Sequence, residues 1–426
     1  MYLHDNDYFI NNDKIVYMKI IELDKETYIK YSNKNPLISF SQMYGWGKVK
    51  ENTGWKELLL GYEDDNKEIL ALGSFLLKKL PIFNSYLCYS NRGYLIDYTN
   101  SELLASFHKD LVSYLKSKHV FTLIIDPYLP LKERDIDGDV VESGFDNTSV
   151  VEELIKLGYK HNGYNLYYEN LQPRWLFRLN ISKPYEELEK GFKNEAKRRS
   201  RKKNIYAIET RELKKEELHI FIDLMEKTAD RRGFEDRPLS YYENMYDALH
   251  EGNVVRFMVS EMDTRKCKEN ILKEIEINKN NIAKYKSPGR VKEEEVTLQA
   301  NEKLLAQVEE CISSYGDKAP LSASCIMSSY KEMIFLLAGN DERFLQTFNS
   351  SNIMVTDLIK LAQSEQKEYF NFYGITGDFS KENPLYGLYS YKRQYGGEVV
   401  ELIGQFEYTI NKLFKTIYNI ASKIRG

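Results

Sequence analysis

The sequence predicts an α/β chain of two related units, with an antiparallel two-helix arm inserted into the second. Three observations predict it. At 426 residues the chain is long enough for two core domains and an insertion. A strand-like run ending near Gly93, a helical stretch and a strand ending at Asp126 recur as runs ending at Gly339 and Tyr373, at almost the same separation. Between Asp263 and Tyr315 tryptophan and phenylalanine vanish, while Ile271, Ile275, Asn278, Ile282 and Tyr285 advance by alternating fours and threes.

Residues 1–17 are polar and aperiodic and read as an extension; Met18, which opens the strand-like MKIIEL, is expected as the physiological start. Residues 25–31 read as a helix, and Trp46 and Lys50 share one side of a short helix at i and i+4. Gln42, Gly45 and Gly47 spell the QxxGxG of acetyl-CoA pyrophosphate loops. They precede the first hairpin instead of joining a core strand to a helix, so a chance match is expected. Residues 55–62, 68–78 and 86–90 read as antiparallel strands, with EDDN turning between the first two. A helix capped by Ser101 runs to 118, and the apolar run 121–125 reads as a strand buried on both faces. Asp126, at the C-terminal edge of that strand, either anchors or deprotonates an amine or caps the turn made by Pro127.

A short helix over 148–157 ends at Gly158, and 176–179 opens a new sheet. Residues 185–203 read as one helix ending in KRRSRKK, where Lys197, Arg198, Arg199, Arg201, Lys202 and Lys203 repel each other unless a polyanion meets them; a bare solvated face is the other reading. After a helix over 216–231, Arg237-Pro238 forms a fixed turn and Tyr241 opens the next helix. That pair is suited to phosphate, or else Arg237 is a plain surface cation. A strand over 254–261 leads into the arm, broken at Pro288-Gly289 and resumed by Val291, Leu298, Leu305, Val308 and Ile312. Asn278 and Asn301 lie on its apolar seams and are expected to fix register; the first helix and the tip are basic, the return helix acidic. Such an arm needs a partner or a brace.

Strands over 322–327 and 331–338 and a helix over 355–365 precede the aromatic–polar strand 369–373, which stops at Gly374. Lys392 emerges from the aromatic run 386–392 beside Arg393. It either snorkels over a tyrosine face or, partly desolvated, polarises a carbonyl or holds a phosphate. A strand over 398–403 follows, then an amphipathic helix over 407–425 that packs on the core or lies on an anionic membrane. The resulting bounds are an extension 1–17, a first unit 18–171, a second unit 172–261 with 316–404, the arm 262–315 and a C-terminal helix 405–426.

A net charge of −4 excludes a chain that is basic throughout, so contact with nucleic acid has to come from local patches. Four cysteines without CxxC spacing and six scattered histidines give no metal site and suit a reducing compartment. No run approaches the ~18 apolar residues of a spanning helix, and a cytoplasmic location is expected.

Taken in order, SNRGYLIDY (90–98), IDPYLP (125–130), KRRSRKK, RPLSYY (237–242), the helical arm, NFYGITGDF, GLYSYKRQY and ELIGQF resemble the Fem family of aminoacyl-tRNA-dependent, nonribosomal peptidyltransferases. The likeness runs from Met18 through nearly the whole chain. It implies two acetyltransferase-like (GNAT-type) subdomains in one globule, with a coiled-coil arm in the second. It also implies transfer of glycine, alanine or serine from aminoacyl-tRNA to the side-chain amine of a peptidoglycan stem peptide, carried by lipid II or UDP-MurNAc-pentapeptide. By resemblance, precursor binding falls on Lys50, Arg237, Tyr241 and Lys392, with Asp126 near the acceptor amine and Lys392 at the developing charge. Phe121 and Leu337 occupy substrate-binding positions where some members have tyrosine, and Tyr94 replaces the proline of an RGP motif. The KRRSRKK helix and the arm fall to tRNA, and a membrane surface and other Fem-type proteins are the further partners implied. Because an aminoacyl ester is already activated, the implied reaction calls for no cofactor, metal or covalent nucleophile. A CoA-dependent N-acetyltransferase and a noncatalytic tRNA-binding scaffold are the competing readings.

Overall fold

The computed structural model describes residues 8–11 and 14–425 apart from Ile82. Two mixed eight-stranded sheets carry the fold. The first runs, in spatial order, β1 (Tyr8–Asn11), β2 (Lys14–Glu22), β3 (Trp55–Asp64), β4 (Ile69–Lys79), β5 (Tyr86–Ser90), β6 (Val120–Ile125), β16 (Phe406–Thr409), β8 (Lys160–His161). The second runs β10 (Ile208–Glu212), β11 (Val255–Asp263), β12 (Lys318–Ser328), β13 (Glu332–Asn340), β14 (Tyr369–Ile375), β9 (Trp175–Asn180), β15 (Glu398–Leu402), β7 (Pro130–Glu133).

Each sheet has one parallel pair, β5 with β6 and β13 with β14, and every other pairing is antiparallel. A helix crosses over between the members of each pair: Ser101–Ser117 in the first unit and Ser350–Ser364 in the second. This is the repeat expected from Gly93/Asp126 and Gly339/Tyr373. Gly339 does not end its strand, however, because β13 continues to Asn340. A Cβ at Gly339 would lie 2.5 Å from the Leu224 carbonyl carbon, so the glycine lets the helix Leu218–Arg232 approach the sheet.

Several boundaries differ from those expected. β2 begins at Lys14 and pairs with β1, so the 17/18 boundary is not a structural one; residues 1–7 and 12–13 lie outside the described residues. Asn100, not Ser101, caps the first crossover helix, accepting from Leu103 N at 3.0 Å. The stretch 185–203 is two short helices, Tyr185–Gly191 and Asn194–Ser200, with extended backbone at Phe192 and Lys193, followed by a 3₁₀ turn at Arg201–Lys203. Burial of Phe192 against Tyr185 and Tyr395 outweighs helix continuation at the break. The chain after 405 is not helix alone: Phe406–Thr409 forms β16, inserted between β6 and β8, before the helix Lys412–Arg425. β7, from the first unit's stretch of sequence, joins the second sheet in return.

Helices Thr264–Lys284 and Pro288–Tyr315 pack antiparallel, with Pro288 at the first turn of the second. Asn301 donates to Asn278 across the seam at 2.8 Å, and Asn278 donates to Glu294 at 2.7 Å. The two asparagines expected to set register do meet. A third layer of core joins the units, with Phe40, Trp46, Val49 and Leu76 of the first packing against Tyr242, Met245 and Leu249 of the second.

Candidate active site

β13 and β14 pair only over Glu332–Ile334 and Tyr369–Asn371 and then diverge. The opening between them is the origin of a cleft of about 590 Å³. Phe335, Leu336, Leu337 and Ala338 line one wall, Phe372, Tyr373 and Gly374 the other, and the helix Tyr386–Arg393 closes the floor. Asn371 shapes the turn: its Oδ1 accepts from Tyr373 N at 2.8 Å, while Tyr373 takes φ 64°.

Lys392 reaches up from that floor. Its Nζ donates to Gly374 O at 2.6 Å and Tyr373 O at 3.3 Å, leaving one of three protons for the cleft. The residue is only 6% exposed, too deep for a surface snorkel. Burial, helped by the charge of Arg232, pushes its ammonium down to about 7. Arg231 and Arg232, at the C-terminal end of the helix Leu218–Arg232, line the mouth; Arg231 pairs with Glu342 at 2.6 Å, and Arg232 is exposed.

On the far side of Tyr373 lies a second cationic group. The Lys50 ammonium sits 4.6 Å over the Trp46 ring and 3.5 Å from Tyr241 Oη, and the Arg237 guanidinium lies 4.9 Å over Tyr241. Burial first, and then repulsion from Arg237, pushes Lys50 down to about 8. Trp46 packs edge-on against Phe40 (5.0 Å), and Phe40 against Tyr373 (6.3 Å). The aromatic wall from Tyr241 to Tyr373 therefore links Lys50 and Arg237 to the Lys392 cleft.

The structure brings together Lys50, Arg237 and Tyr241 in one cluster and Leu337 and Lys392 in the adjoining cleft. It places two other sequence-predicted residues elsewhere. Asp126 is buried, accepting from Tyr89 Oη at 2.8 Å and Arg92 N at 2.7 Å, with the Arg92 guanidinium 4.0 Å away. Burial raises its carboxyl above the ordinary range, opposed first by Arg92. Both oxygens are engaged, so the open amine-binding edge expected of it is not formed. Phe121 is fully buried, packed on Tyr418 of the C-terminal helix at 5.5 Å, and does not line the cleft.

The KRRSRKK cations are more neutralised than their sequence suggests. Arg199 pairs with Glu195 (2.5 Å), Arg201 with Glu189 (2.8 Å) and Lys203 with Asp357 (2.8 Å). Lys197 Nζ donates to Lys190 O, and Lys202 lies over Tyr206. Arg198 is exposed, and the charge of Arg199 reaches Tyr391, which lines the cleft. Gln42, of the QxxGxG stretch, is buried in the first unit, donating to Asn91 O at 2.7 Å and accepting from Ser74 N at 2.8 Å. A Cβ at Gly47 would meet the Glu57 carboxylate, so no phosphate-binding loop is made there.

Sequence reasoning missed Arg232, whose signal was an arginine doublet before the Gly233 cap, and Arg92, which donates to Pro173 O at 2.7 Å and so ties the first unit to the cleft wall.

The sequence profile of the FemAB family matches residues 23–423. Aminoacyltransferase FemA of Staphylococcus epidermidis is 28% identical over 424 residues, covering 96% of this chain and all of that protein. Aminoacyltransferase FemA of Staphylococcus aureus is 26% identical, covering 96% and 99%. The crystal structure of FemX superposes with a TM-score of 0.76 at 24% identity, covering 94% of this chain and 99% of that one, and so shares the fold. With the profile spanning nearly its full length, the chain belongs to the FemAB family.

Proposed function

We propose that the protein is an aminoacyltransferase that moves glycine, alanine or serine from aminoacyl-tRNA to the side-chain amine of a peptidoglycan stem peptide, on lipid II or UDP-MurNAc-pentapeptide. The observation that carries the reading is the convergence of Lys50, Arg237 and Tyr241 with Lys392 along one aromatic wall, inside a FemAB-family chain. Two anionic substrates have to meet, and two separated cationic groups suit them.

In this reading Lys50 and Arg237 hold the precursor's diphosphate, with Tyr241 fixing both cations. The acceptor amine attacks the ester carbonyl and its proton leaves; the C–N bond forms, and the tetrahedral intermediate collapses with the tRNA ribose oxygen as leaving group. The free proton of Lys392 meets the oxyanion that develops during attack. Gly374 O and Tyr373 O hold the ammonium in place beforehand, so little reorganisation accompanies the step. Because Asp126 is buried with Tyr89 on one oxygen and the Arg92 N–H on the other, it serves as a positioning residue that fixes Arg92 against the Pro173 wall, and the proton acceptor is supplied by substrate or solvent. Arg232 at the mouth, with Arg199 beyond Tyr391, offers a path for the 3′ end of a nucleic acid toward Lys392.

The test offers labelled glycyl-, alanyl- and seryl-tRNA with lipid II and, separately, with UDP-MurNAc-pentapeptide. One charged tRNA is expected to label one acceptor, with labelling abolished by ribonuclease. Product formed equally after RNA digestion, or an acylated protein side chain trapped during turnover, would overturn the reading.

A further inference from the structure

Of the two alternatives its sequence left open, the C-terminal helix takes the first and packs on the core. One side packs on the first unit: Phe414 meets Phe83 at 5.5 Å, Tyr418 meets Phe121 at 5.5 Å, and Lys415 pairs with Glu407. The other side keeps Leu413 68% and Ile420 56% exposed, two turns apart on one stripe. At the edge of the packed side, against Phe414, the β4–β5 loop presents Phe83, itself more than a third exposed. Lys412, Thr416, Asn419 and Lys423 follow the spacing of a polar stripe flanking the apolar one. In a chain of net charge −4, the sequence of this helix contains lysines and an arginine and no acidic residue. An apolar stripe bordered by cations, on a helix already held by its other face, is the chemistry of a segment lying in a bilayer interface.

We propose that the outer face of the helix Lys412–Arg425, with Phe83, docks the protein on an anionic phospholipid surface. No helix among the described residues is long and apolar enough to cross a membrane, so the contact is peripheral. The charge pattern chooses the occupant: a second copy of a net-acidic chain offers no comparable density of negative charge, whereas an anionic leaflet does. For the transfer reaction, and resting there on the function proposed above, docking brings the cleft to a lipid-linked acceptor in the plane of the membrane.

The test is co-sedimentation of the full chain with vesicles of phosphatidylglycerol and phosphatidylcholine in equal parts, and with vesicles of phosphatidylcholine alone. Binding to the first is expected, reduced about tenfold on the second and by high salt. Leu413→Asp/Ile420→Asp is expected to lower binding about tenfold or more. Lys412→Glu/Lys423→Glu is expected to remove the preference for anionic lipid. Far-UV circular dichroism and the midpoint of urea unfolding report that each variant is folded and are expected to stay unchanged, while transfer to lipid II in vesicles falls. The proposal is overturned by a wild-type chain that ignores anionic vesicles, by undiminished binding of the Asp variant, or by light scattering that shows a dimer which the Asp variant converts to monomer. Ribonuclease-resistant transfer would instead defeat the function proposed above and leave the vesicle result standing.

Discussion

At Lys392 the two neighbouring carbonyls and the surrounding protein act in opposite directions. Gly374 O and Tyr373 O favour the ammonium, yet burial and Arg232 push it down to about 7. A cation with a depressed pKa is lost as pH rises through that value, so kcat/KM should fall with rising pH from about 7, with a further loss near about 8 from Lys50. Lys392→Met should remove the first limb and lower kcat by about 10²–10³-fold, with precursor affinity little changed. Arg237→Ala should do the reverse, raising KM for the precursor by about tenfold or more with kcat largely kept. Arg232→Ala should move the Lys392 limb toward higher pH, because a repelling charge is gone. Steady-state kinetics across pH 6–9 (about the range a lysine so placed titrates in) check all three; the opposite division between kcat and KM would refute the assigned roles. Residue types alone singled out Lys392 in its aromatic run and Arg237 beside Tyr241, whereas Lys50 joined them only through the resemblance, because an i, i+4 pair with Trp46 does not show that Tyr241 lies against it. The surroundings of Asp126 were not legible, because nothing in its own stretch announces that Tyr89 and the Arg92 backbone, more than thirty positions earlier, would occupy both oxygens.

Among the elements, the arm is anchored at its root by a buried carboxylate. Asp341 caps the helix Glu342–Phe348 and accepts from Lys227 at 3.2 Å, Arg343 at 2.7 Å and Tyr315, the last residue of the arm. Arg343, Tyr315 and Lys227 together outweigh burial and hold its carboxyl far below the ordinary range. A depressed carboxyl contributes stability above its unfolded value near 3.8 and loses it as pH falls below that. Asp341→Asn should therefore cost about 2 kcal/mol at pH 7, a figure reduced from the fully buried case because Arg343 and Lys227 are half and more than a third exposed. The cost should shrink in acid, which urea unfolding at neutral pH and at about pH 3 would show. An equal cost at both would mean the pairing does not stabilise the arm. The arm's helices and their asparagine register were legible because heptad spacing is local and repeated. The break at Phe192 was not, since its cause is the burial of one ring against Tyr395, two hundred residues away.

For the molecule as a whole, the exchange of β7 and β16 makes the two units inseparable. β16 fills the gap between β6 and β8, bringing fully buried Phe406 into the first unit's core, and β7 extends the second sheet beside β15. Phe406 to Thr409 (FEYT) alternates aromatic and polar residues as a strand does, but a four-residue strand has no register until its distant partners are known, and so most of it was absorbed into the helix that follows. The separate stretches 18–171 and 172–404 should consequently fail to fold on their own: the first lacks β16, the second lacks β7, and each exposes its side of the shared core around Trp46 and Tyr242. Phe406→Ala in the full chain should cost about 3 kcal/mol and weaken both units together, because the strand it anchors is continuous with β15 through only three intervening residues. Hydrogen exchange read at β6 and at β14 in the same sample is the discriminating measurement. Parallel loss of protection at both strands is expected of one cooperative body, whereas a β14 that keeps its full protection while β6 opens would show two units that unfold independently.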